Sequence, residues 1–119
     1  MPAVDYLRAL RIRRLAGRAL DTVLASFDVV VAPTQPGVAP PIDEQFGSYA
    51  EGIGAAAVRS LGAAGNLCGL PAVTVPNGVG KLGLPTGLEF MGRASADGTL
   101  LAAAAAFERA WTGSSGGAG

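Results

Sequence analysis

The chain has 119 residues, half of them hydrophobic and 15% charged, with nine basic and nine acidic side chains. That composition excludes disorder, leaves no net charge to steer the chain to nucleic acid or a membrane surface, and fits one domain at most. It holds no histidine and one cysteine, Cys68, which excludes Ser-His-Asp and Cys-His sites, an internal disulfide and a thiolate zinc centre within the chain.

Residues 4–27 predict a long helix, free of proline and rich in Leu, Ala and Arg. Ile12, Leu15, Ala16, Ala19, Leu20 and Val23 recur at helical spacing as its apolar face. Arg11, Arg14 and Arg18 fall on another face. They have no interleaved aromatics for stacking on bases and read as a solvated surface. The opening Met1-Pro2-Ala3-Val4-Asp5 lacks the basic-then-apolar pattern of a secretory leader. No apolar run approaches the ~20 residues needed to span a bilayer. A soluble, cytoplasmic protein is the expectation.

Asp28-Val29-Val30-Val31-Ala32-Pro33 is a β-branched run closed by proline. Such a run suits a strand buried on both faces of a mostly parallel sheet. Pro33, Pro36, Pro40 and Pro41 then mark an extended loop through Ile42. Residues 46–65 are ambiguous. Ala55, Ala56, Ala57, Val58 and Leu61 favour helix, while Gly47, Gly52, Gly54, Gly62 and Gly65 weaken it or permit close packing.

Residues 71–76 predict a second strand and residues 86–92 a third, in which Leu88, Phe90 and Gly92 alternate with Gly87, Glu89 and Met91. The glycine-rich stretch between them predicts an antiparallel hairpin. Residues 97–111 predict a last helix, capped by Ser95 or Asp97, with Leu100, Leu101, Ala104, Phe107 and Trp111 as its apolar stripe. Residues 112–119 read as a flexible Gly/Ser/Ala tail, so the structured segment is expected to be 1–111.

Five features invite chemistry, and each has a plainer reading. Residues 78–83 match G-x-G-x-x-G, but a dinucleotide site needs a helix next, and Pro85 and a strand follow instead. The Gly113-Ser114-Ser115-Gly116-Gly117 run resembles a serine nucleophile loop, but such a loop must be held rigidly between packed elements. Lys81, the only lysine, sits in a glycine-rich turn and reads as a solvated surface side chain. Cys68 has no histidine to activate it and reads as a small buried side chain. Asp43 and Glu44 are adjacent, and neighbours in a loop do not converge on one substrate.

Three stretches together resemble the carboxyl-terminal part of the amidase signature family. They are DVVVAPTQP at 28–36 continuing to APPI at 39–42, NLCGLPAVTVPNG at 66–78, and GLPTGLEFMGR at 83–93. DYLRAL at 5–10 and the closing helix are similar to that family as well. The resemblance implies an α/β fold: a fragment of a three-layer architecture around a mixed sheet, with about three strands and three helices in this chain. It also implies hydrolysis of a carboxamide C–N bond by a serine, a bridging serine in a cis peptide and a lysine base, with no metal or organic cofactor.

The family's lysine and glycine–serine signature lie upstream of everything matched here, so no catalytic residue is carried over to Lys81, Ser114 or Ser115. The resemblance leaves Thr34, Asn66 and the Pro71 turn as candidate substrate-pocket wall positions. The expected partner is the absent amino-terminal amidase part, or a second copy of the chain, and neither nucleic acid nor membrane. Three functions follow: an enzyme part inactive alone, a non-catalytic binding or self-association module, and a gene fragment without function.

Overall fold

Helix α1 spans Ala3–Leu24. Pro2, extended at φ −63° and ψ 146°, precedes it, and its carbonyl accepts the N–H groups of Asp5 (3.1 Å) and Tyr6 (3.3 Å). Asp5 in the first turn faces the positive end of the helix dipole. The last turn tightens as Ala25 N–H donates to Asp21 O at 2.9 Å and Ser26 N–H to Val23 O at 3.1 Å. Strand β1, Val29–Pro33, follows.

This computed structural model describes residues 2–35, 37–42 and 61–115. After β1 come α2 (Leu61–Cys68), β2 (Ala72–Val79), a 3₁₀ turn (Lys81–Gly83), β3 (Pro85–Gly92) and α3 (Asp97–Ser115). Among the described residues there are three helices and three strands, as the resemblance implied. Most of residues 46–65 lies outside the described residues, and α2 is the part that is seen.

The sheet order is β1-β3-β2, and both pairings are antiparallel. The β2–β3 hairpin forms as predicted, with Val73 opposite Phe90 and Val75 opposite Leu88. A register shift between Pro76 and Val79 leads into the turn. There Gly83 takes φ 70°, a left-handed conformation that glycine adopts without steric cost. The G-x-G-x-x-G stretch is therefore a hairpin connection, not a phosphate loop. Pro76 lies in β2, an edge strand of this sheet, where a missing N–H does least harm.

Strand β1 departs from the expectation of a parallel, doubly buried strand. It runs antiparallel to β3, with Val29 opposite Gly92 and Val31 opposite Phe90. It is an edge strand of the described sheet, and Val31 is 44% exposed. A short β-branched run carries the same residues in either setting, because propensity reports a pleated surface and not the direction of the neighbour.

The sheet separates two layers of helix. On one face Val75, Phe90, Leu100 and Ala104 form the core, with Val29, Val73, Leu88, Ala103 and Phe107 packed around them. The Phe90 and Phe107 rings tilt at 56° with centroids 5.7 Å apart, an arrangement that contributes about 0.5–1.5 kcal/mol beyond burial. On the other face Met91, 1% exposed, meets α2 at Gly65. A Cβ at Gly65 would lie 2.8 Å from the Met91 sulfur and overlap its methyl group. Helix α1 packs in turn on α2, with Gly17 near Cys68.

Two expectations for α3 are corrected. Its stripe toward the sheet is Leu100, Ala103, Ala104 and Phe107, whereas Leu101 and Trp111 are 58% and 41% exposed. Leu101 lies 100° around the helix from Leu100 and so turns away from the sheet. The helix also continues to Ser115. Residues 112–115, expected as tail, are helical, and Thr112 Oγ1 donates to Glu108 O at 2.8 Å. Residues 116–119 lie outside the described residues. At the other end Leu100 N–H donates to Ala96 O at 3.0 Å, which places Ala96 at the cap, while Ser95 sits before it at φ 64°.

Met91→Ala is expected to destabilise the fold by about 2–5 kcal/mol, the usual cost of emptying a buried site. Leu101→Ala should stay within ~0.5 kcal/mol, as exposed positions do. Urea denaturation midpoints of the two variants check this; equal losses would contradict the layer assignment.

Candidate functional site

Opposed residues on paired strands point to one face of the sheet. Ala32 and Thr74 flank Glu89 in this way, on the face turned toward α2. Thr34 follows β1 onto the same face: its N–H donates to Gly87 O at 2.9 Å and its hydroxyl to Thr74 Oγ1 at 3.2 Å. These threonines and Gly87 form the floor of a groove of about 530 Å³, walled by Val38, Ala39 and Pro40 of the loop after β1.

The groove stays open because two positions carry no side chain. A Cβ at Gly87 would stand 2.7 Å from Thr74 Cγ2 and 3.0 Å from Thr34 Oγ1. One at Gly80 would stand 2.7 Å from Val38 Cγ1. At the rim, Thr86 Oγ1 is held by Asn77 Oδ1 at 2.8 Å and Gly78 O at 3.2 Å. The lining thus offers hydroxyls and apolar walls. It can accept and orient a small polar group beside apolar atoms.

No base faces this groove among the described residues that line it. Lys81 is exposed in the hairpin turn. Cys68 is half-buried between α2 and α1, its sulfur 4.0 Å from Arg13 O. Of the three predicted wall positions, Thr34 lies in the groove. Asn66 is exposed on α2, and Pro71 precedes β2, where its carbonyl accepts Gly92 N–H at 3.1 Å. The structure does not bring the three together. Asp43 and Glu44 fall outside the described residues, as do Gly116 and Gly117 of the serine-rich run.

Glu89 is the polar residue that the sequence reading passed over. Its carboxylate lies against α2, and a Cβ at Gly62 would stand 3.0 Å from either oxygen. Oε1 is buried and has no hydrogen-bond partner. Burial pushes the carboxyl above its ordinary value of 4.5, because the charged form loses water. The signal in the sequence is a lone charge within a strand whose neighbours Leu88, Phe90 and Met91 are all apolar.

The family model described as Amidase matches residues 2–101. The chain belongs to the amidase family. Among its relatives is a glutamyl-tRNA(Gln) amidotransferase subunit of Pseudothermotoga lettingae, 40% identical over 102 residues, which make 86% of this chain and 21% of that one. A fatty acid amide hydrolase of Oryza sativa subsp. indica is 37% identical over 89% of this chain and 18% of its own. The crystal structure of the corresponding glutamyl-tRNA(Gln) amidotransferase subunit from Thermotoga maritima superposes with a TM-score of 0.64 at 32% identity. That match covers 80% of this chain and 20% of the other. The chain therefore spans about a fifth of the length of these amidases. Among the described residues no helix is long and apolar enough to cross a membrane.

A folded state that binds the Glu89 proton more tightly than the unfolded state loses stability as pH rises from 4.5 through the raised value, and stays lower at neutral pH. Glu89→Gln removes that loss. The variant is expected to be more stable than the parent at neutral pH, with the difference closing as pH falls toward and below 4.5. Urea midpoints at both pH values check it; a difference that widens on acidification would contradict this account.

Proposed function

We propose that this chain is the carboxyl-terminal segment of an amide-hydrolysing enzyme, forming scaffold and pocket wall for a serine–lysine site carried by other residues. The reaction is cleavage of a carboxamide C–N bond to a carboxylate and ammonia or an amine. The match to the amidase family over residues 2–101, at about a fifth of the relatives' length, carries this reading. The groove supports it by offering two threonine hydroxyls and apolar walls but no proton acceptor. Of the wall candidates, Thr34 is the one that this geometry favours.

The partner in this reading is the rest of an amidase. A test pairs this chain with the portion of the Thermotoga maritima protein that it does not cover. Ammonia release from simple amides is expected from the co-expressed pair and from neither half alone. Lys81→Ala should leave that rate unchanged. Thr34→Val should raise KM, with a smaller effect on kcat, since a wall residue acts on binding. Turnover by this chain alone, abolished by changing one of its own side chains, would overturn the proposal.

A second reading, a self-associating module, is favoured by the amount of bare apolar surface. Fifteen large hydrophobic residues among those described are exposed, against six buried hydrophobic ones. Sedimentation of the chain alone separates the two: a discrete, concentration-dependent dimer with a cooperative melt favours self-association, a monomer favours the segment.

A further inference from the structure

Helix α1 has two apolar faces, and the structure uses one. Ala16, Gly17 and Leu20 are half-buried and Leu24 is fully buried, on the side turned toward α2. Ile12, Leu15, Ala19 and Val23 recur three and four residues apart on a different side. There Ile12, Leu15 and Val23 are 63%, 64% and 45% exposed. The sequence pattern merges both groups into one face, and the tertiary packing splits them.

Arginines border the bare stripe. Arg8 lies one turn before Ile12, Arg11 one turn before Leu15, and Arg18 one turn after Leu15. All three are exposed. Asp5 lies 4.0 Å from Arg8, and Asp21 follows Arg18 by three residues on the same helix. An apolar row edged by cations fits an apolar surface edged by carboxylates.

We infer that the Ile12–Leu15–Ala19–Val23 stripe of α1 is the docking surface for the remaining four-fifths of an amidase, with acidic side chains of that portion facing Arg8, Arg11 and Arg18. This rests on the reading of the chain as an amidase segment. Two observations select that occupant over a second copy. The relatives' chains are about five times as long as the part this chain covers. The arginine border is also self-repelling, since a two-fold contact through this stripe brings two sets of arginines together.

The test uses tagged full-length chain co-expressed with the uncovered portion of the Thermotoga maritima protein. The double variant Ile12→Asp/Leu15→Asp is expected to weaken co-purification about tenfold or more. Leu101→Asp, on the exposed side of α3, is expected to leave it unchanged. Unchanged circular dichroism establishes that the variants fold. As a readout needing no variant, amide hydrogen exchange in α1 should slow when the pair forms. A complex that hydrolyses amides but is indifferent to the double variant and leaves α1 exchange unprotected overturns this inference alone. Absence of any complex overturns both this and the amidase-segment reading. Dimerisation of the lone chain that the double variant abolishes overturns the choice of occupant.

Discussion

Phe90 and Met91 are consecutive in β3, and both are buried, one against α3 and the other against α2. Side chains alternate across a strand, so two buried neighbours require cover on both faces. That requirement places the other elements. Strands β1 and β2 flank β3 to complete its hydrogen bonding, α3 closes one face through Leu100 and Ala104, and α2 closes the other through the bare backbone of Gly65. Helix α1 packs on α2.

The same constraint accounts for the candidate site. Because Glu89 and Gly87 share the face of Met91, the end of that face beyond α2 is polar and open. Thr34 and Thr74 line it, and Glu89 is forced under α2 with one oxygen unpartnered. A carboxylate in such a position costs stability that an apolar residue would not. The described lining of the groove offers hydroxyls and apolar atoms and no side-chain base. The chain belongs to the amidase family, whose relatives carry several times more chain around the same segment.

Much apolar surface stays bare among the described residues. Three strands and three helices bury one central strand well and little else. Apolar side chains such as Ile12, Leu15 and Phe27 remain in water because no described element lies over them.

The residues by themselves determined what depends on local chemistry. The long first helix, the hairpin with its glycine turn, the three strands and the closing helix all follow from periodicity and turn residues, which act over a few positions. The absence of histidine also excludes, from sequence, a Ser-His-Asp or Cys-His site built within the chain. Only the tertiary structure decided which neighbours those elements meet. It made β1 an antiparallel edge, carried α3 through Ser115, split the apolar residues of α1 into a packed face and a bare one, put Thr34 beside Thr74, and pressed Glu89 under Gly62. Apart from the helix extension, those outcomes rest on contacts between residues tens of positions apart, and a side chain's own propensity is the same whether its partner arrives or not.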